Sequence, residues 1–163
     1  MRPQPSNQLH PRVKMAWRIV KTMDVVILGI VAAASIAPLY IFDIDPELAR
    51  TLALITAGIL AVLLVVWVGI APALRYKFWR YEVGPHELDI QRGIIWRKRF
   101  IIPFVRVQNT DTRQGPLLRV LGLASVAVST AAGTHEIPGL SFEEADNLRD
   151  LIAEQARLAQ EDV

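Results

Sequence analysis

The chain has 163 residues, a formal net charge of +2, no cysteine, and a hydrophobic fraction of 52% against 21% charged residues. That length holds one small domain plus membrane anchors, and so large an apolar share is high for an ordinary soluble domain. The missing thiols exclude disulfides, thiolate metal sites and cysteine nucleophiles, and fit a reducing compartment.

Residues 1–22 form a basic segment in which Arg2, Arg12, Lys14, Arg18 and Lys21 stand without an acid. An uncharged run of 18 residues, 25–42, follows, and a second of 23 residues occupies 52–74. A bilayer core about 30 Å thick needs about 20 apolar helical residues, so two transmembrane helices are predicted, over 23–42 and 52–74. A cleaved signal peptide ending at "AAAS" (32–35) competes for the first run. The run continues through Ile36, Leu39, Ile41 and Phe42, which favours an uncleaved anchor.

The connecting segment 43–51 carries Asp43, Asp45 and Glu47 against Arg50, whereas Arg75, Lys77 and Arg80 follow the second run. Basic flanks stay in the cytoplasm, so both termini are expected inside and the short loop outside. Asp24 is expected at the start of the first helix, where the interface favours a carboxylate, and Pro38 is expected to kink its outer end. The interiors of both runs lack ionisable residues, as an anchor hairpin does and a transport path does not. Ala53, Ala57 and Ala61 offer a small-residue stripe, expected to pack against the partner span.

Residues 75–157 then read as a small cytoplasmic domain, with 158–163 as a tail. In "KFWRYEV", Trp79, Tyr81 and Val83 alternate with Phe78, Arg80 and Glu82, the period of a half-buried strand. Gly84 and Pro85 break it, and Leu88 with Ile90 resumes it. After Gly93, the same period puts Ile94, Trp96, Phe100 and Ile102 on one face and Arg97 and Arg99 on the other, with Lys98 a misfit on the apolar side. Val105 and Val107 set a further strand. "GPLLRVLGL" reads as a compact apolar connection with a helical turn, and "LASVAVST" and "THEIPGL" as two strands split by "AAG". The last element is a helix: Ser141 and Glu144 have capping-box spacing, Leu140 and Ala145 occupy the staple positions, and Phe142, Ala145, Leu148, Ile152 and Ala156 form one apolar face.

No catalytic constellation stands out. The three histidines, His10, His86 and His135, lack metal-ligand spacing, and neither a phosphate loop nor a nucleophile elbow is present. No catalytic, cofactor or metal residues are assigned, and an enzyme is not expected.

The succession from "YEVGPHELDIQRGIIWRKRF" through "IIPFVRVQNTDTRQGPLLRVLGLASVAVST", "IPGL" and "EEADNLRDLI" resembles the bacterial pleckstrin-homology (PH) domain membrane proteins of the YdbS-like family. Gly93, Ile102, Pro103, Arg106 to Gln108, Gln114 to Leu117, Gly122 and Ala145 carry the likeness, over about residues 15–155. It implies two transmembrane helices followed by an α+β PH-like domain, a small antiparallel barrel or two orthogonal sheets capped by the terminal helix. It implies residence in a bacterial plasma membrane and no catalytic residues. Phosphoinositide binding is not carried over, because the first hairpin turn, "VGPHELD", holds Glu87 and Asp89 and neither lysine nor arginine.

Residues 75–140 hold ten basic and five acidic side chains, residues 141–163 two and seven. Arg75, Lys77, Arg80, Arg97, Lys98 and Arg99 are the candidate contacts with a membrane surface or partner. Arg97 and Arg99 are expected to face outward while Trp96 and Phe100 pack inward. The expected function is a membrane-anchored binding or scaffold module for a membrane protein, for further copies of itself, or for anionic lipid head groups. A membrane-tethered nucleic-acid binder is the disfavoured alternative, suggested by the basic pI of 9.2 and unsupported by any motif.

Overall fold

A computed structural model describes residues 3–161. Arg2 of the basic segment and the last two residues of the tail, Asp162 and Val163, lie outside them. The chain forms two compact units, Trp17–Ala73 and the combination of Met1–Ala16 with Leu74–Val163.

The first unit is a helical hairpin. Helix α1 is Val13–Ile41; α2, Pro46–Leu63, continues through a π-helical stretch, Leu64–Ile70, into α3, Ala71–Phe78. Both α1 and the continuous helix Pro46–Phe78 are long and apolar enough to cross a membrane. The turn between them closes because Asp45 caps α2, accepting from the Leu48 N–H at 2.9 Å, with Pro46 in the first turn.

Two details differ from the sequence reading. Helix α1 begins well before Asp24, so no helix terminus stabilises that carboxylate; it pairs with Lys21 at 2.8 Å. Ala53, Ala57 and Ala61 are exposed. Their face does not meet α1; Gly29 approaches Leu60 instead. The Lys21 ammonium lies 5.4 Å from the Trp67 ring, the basic and aromatic pairing of a membrane–water interface.

The second unit is built from two three-stranded antiparallel sheets, β1–β2–β3 and β4–β5–β6, which form no closed barrel. Strands β1 (Arg80–Val83), β2 (Glu87–Arg92) and β3 (Lys98–Pro103) pair with Tyr81 opposite Ile90 and Arg92 opposite Lys98. A 3₁₀ turn, Phe104–Arg106, buries Phe104 and leads into β4 (Val107–Arg113). Val105, expected on that strand, sits in the turn and is exposed. Helix α4 (Pro116–Val120) is the expected one-turn connection, and β5 (Leu123–Thr130) and β6 (Gly133–Ser141) follow. Strand β5 is central and buried at every position from Leu123 to Val128, with Ser125 the one polar side chain in that run.

Helix α5 (Phe142–Glu161) crosses β4, β5 and β6 and buries Ala145, Leu148, Ile152 and Ala156. Its capping box forms: the Ser141 N–H donates to Glu144 at 2.9 Å and the Glu144 N–H to Ser141 Oγ at 3.2 Å. Phe142, assigned to the apolar face, is half exposed.

The amino-terminal segment completes this unit. Asn7 and Tyr81 exchange backbone hydrogen bonds of 3.0 and 3.1 Å, and the His10 N–H donates to the Gly139 carbonyl at 2.9 Å. Pro5, Leu9, Val13 and Ala16 are buried. Gly139 has φ +63, and a methyl group there would overlap the Val13 side chain, so only glycine admits this strap. The charged flank of the sequence reading is therefore also a core element.

Candidate functional site

The most distinctive surface lies at the β2–β3 tip. Strand pairing ends at Arg92 and Lys98, which leaves residues 93–97 as the connecting loop. Gly93 takes φ +114, and a methyl group there would overlap the Trp96 carbonyl oxygen; the loop folds back on its first residue. This tight return lifts the next three side chains out of the sheet. Ile94 is 36% exposed, Ile95 81% and Trp96 79%.

Beside the tip lies an open groove of about 540 Å³, lined by Arg75, Trp79, Arg92, Trp96 and Lys98 along with the loop itself. Trp79 forms its buried wall, packed edge-on to Tyr81 with ring centroids 6.4 Å apart. Arg92 is held over the Phe100 ring, 4.9 Å from its centroid, and Phe100 meets His135 at 4.8 Å. Burial, and then the Arg92 charge, push the His135 pKa below its ordinary value, so this imidazole favours the neutral form. Among the described residues, the charged groups lining the groove are all basic.

The six basic residues singled out from the sequence divide. Arg75 and Lys98 line the groove. Arg97 stacks over Phe78 at 5.1 Å, and Lys77 lies 6.0 Å from the same ring. Arg80 lies 2.8 and 3.2 Å from the Gln8 side-chain amide, which ties it to the strap when that amide turns its oxygen toward the guanidinium. Arg99 donates through Nε to both oxygens of Asp89, at 3.0 and 2.9 Å, and through an Nη to the Pro3 carbonyl at 2.9 Å. Asp89 is 8% exposed, so Arg99 neutralises a carboxylate taken out of water. Arg99 thus braces the fold through Asp89 while remaining exposed on the outer face, as the alternation placed it.

Trp96 departs from expectation: predicted to pack inward, it is among the most exposed large hydrophobic side chains of the unit. The period-two reading ran through residues 94–97, but the return requires a five-residue loop, and the face is reset only at Lys98. Phe100 and Ile102 do turn toward the interior, half-buried and buried. Arg92, Ile95 and His135 were missed; the run "GIIW" between two bases, with glycine at its head, was the available signal. Among the described residues no group of three or more His, Asp or Glu side chains could hold a metal ion.

The family model described as "Bacterial PH domain" matches residues 24–156. The chain is 44% identical over 164 residues to "UPF0699 transmembrane protein YdbS" of Bacillus subtilis (strain 168), covering 100% of both chains. It is 24% identical over 93 residues to "UPF0699 transmembrane protein YdbT" of the same organism, covering 55% of this chain and 19% of that one. No solved structure gives a significant match.

Proposed function

Because the chain belongs to the bacterial PH domain family, we propose that it is a membrane-anchored, non-catalytic binding or scaffold module of the bacterial plasma membrane. In this role it crosses the bilayer twice and presents its PH-like unit at the cytoplasmic face, to another membrane protein, to further copies of itself or to lipid head groups. The amino-terminal strap carries this reading. Residues 5–13 precede the first apolar helix and residues from Leu74 onward follow the second, yet both stretches share one packed unit, tied by the Asn7–Tyr81 bridge and by Val13 beneath Gly139. Strap and sheet must lie on one side of a bilayer to pair, and two spans between them return the chain to its starting side. The basic flanks select the cytoplasm as that side.

The topology is tested with fusions to the full chain. A reporter active only in the cytoplasm should work after Val163, and an exported reporter should work only within segment 43–51; the reverse pattern would overturn the arrangement. Purified full-length protein is expected to retain a membrane protein or lipid. Selective recovery of RNA or DNA would shift the function to the nucleic-acid alternative.

A further inference from the structure

We infer that the β2–β3 tip and its basic groove dock on the anionic phospholipid surface of the bilayer that carries the chain. Ile95 and Trp96 enter the interface while Arg75, Arg92 and Lys98 face lipid phosphates. This inference rests on the membrane-anchored reading above and adds the ligand and the residues that meet it.

Three observations converge on the tip. Its two outermost side chains are a large aliphatic and a tryptophan, exposed by 81% and 79% and held out by the Gly93 return. Tryptophan suits the headgroup level because its ring is apolar and its indole N–H can still donate. Beside them the groove presents Arg75, Arg92 and Lys98 and, among the described residues, no acid in its lining, with Glu136 acting on Arg75 from outside it. The charge complement of that lining is an anionic surface, and each base brought within reach of one favours the bound state about fivefold.

The third observation is covalent. Arg75 follows Leu74, the last residue of the second apolar run, without a linker. A groove that includes Arg75 is held at high effective concentration beside lipid, so weak contacts suffice.

A second copy offering its acidic terminal helix is the rival occupant, and the ion pairs of α5 argue against it. Arg149 pairs with Asp146 and Asp150, and Arg157 with Glu154 and Glu161, all at 2.7 to 2.9 Å. Four of the helix's six acidic side chains are thus already engaged in ion pairs within it, although its formal charge stays negative.

The absence of native cysteine makes the test direct. Ile95→Cys in the full chain is labelled with an environment-sensitive dye and reconstituted into nanodiscs of phosphatidylcholine alone or mixed with phosphatidylglycerol, with a spin-labelled lipid quencher at headgroup depth. Blue-shifted, quenched emission in the mixed discs is expected, weakened by salt. Replacing Arg75, Arg92 and Lys98 together by Gln should lower the ratio of docked to free tip by roughly 100-fold. Lys98→Gln and Trp96→Ser change exposed side chains. Each should release the tip in part with an unchanged melting temperature, which separates docking from misfolding.

Water-like, unquenched emission in the mixed discs would overturn the inference. Equal quenching in neutral and anionic discs would remove the role of charge. Shielding that lipid does not quench, and that grows with the number of chains per disc, would identify a second copy as the occupant. Independently, Ile44→Cys in intact cells should react with an impermeant thiol reagent from outside. If it does while the tip stays in water, the anchored reading stands and only the docking fails.

Discussion

Truncating Leu9 to alanine should destabilise the PH-like unit, although Leu9 lies on the far side of both apolar helices in the sequence. The side chain is 2% exposed, and the strap around it is fixed by the Asn7–Tyr81 bridge on one side and the His10 to Gly139 hydrogen bond on the other. Burial of a leucine is worth about 1.5 to 3 kcal/mol in transfer terms. Backbone bonds at both ends limit how far the strap can collapse, so a cavity term adds to this and brings the expected loss to about 2 to 5 kcal/mol. Against a domain stability of about 5 to 15 kcal/mol, that raises the unfolded fraction by roughly 30-fold or more. Met15, 53% exposed in the same segment, serves as the control, with Met15→Ala expected within about 0.5 kcal/mol of the parent. Hydrogen exchange of the full chain in nanodiscs reads the effect, since the Tyr81 amide donates to the Asn7 carbonyl and should lose protection with the strap. Equal protection of Tyr81 in the Leu9→Ala and Met15→Ala proteins would refute the strap as a core element. A fragment beginning at residue 76 lacks the strap altogether and should unfold more readily than the full chain.

Two further expectations concern α5. Ile152→Ala removes a side chain with no exposure and should cost about 2 to 5 kcal/mol, whereas Glu154→Ala, on the solvent side, should change little; thermal melts that fail to separate them would contradict the packing of the helix on β4 and β5. The Ser141 backbone N–H, and then its hydroxyl, hold the Glu144 pKa below the ordinary carboxylate value. Its contribution is therefore complete above the unfolded value, about 4.3, and is lost as pH falls through the lower folded value. Glu144→Gln should flatten that part of the acid limb of a stability–pH curve, and an unchanged acid limb would show the capping box contributes nothing there.

What the sequence determines by itself is everything that periodicity, length and local chemistry encode. Two uncharged runs specify membrane-length helices because a helix rises a fixed distance per residue. The mostly apolar run "LASVAVST" and the Ser141–Glu144 spacing specify a strand and a helix start through contacts only a few residues apart. Tertiary structure decides the rest, where a residue's partner is distant in the chain. Nothing local in "NQLHPRV" announces a strap, because its partners, Tyr81 and Gly139, lie beyond both apolar helices. Arg97, Lys98 and Arg99 look alike as three consecutive bases, yet one stacks on Phe78, one lines the groove and one is bound to Asp89. Trp96 turns outward for the same reason: alternation continues only while the strand does, and the five-residue return at Gly93 resets the faces, a geometry fixed by the pairing of Arg92 with Lys98.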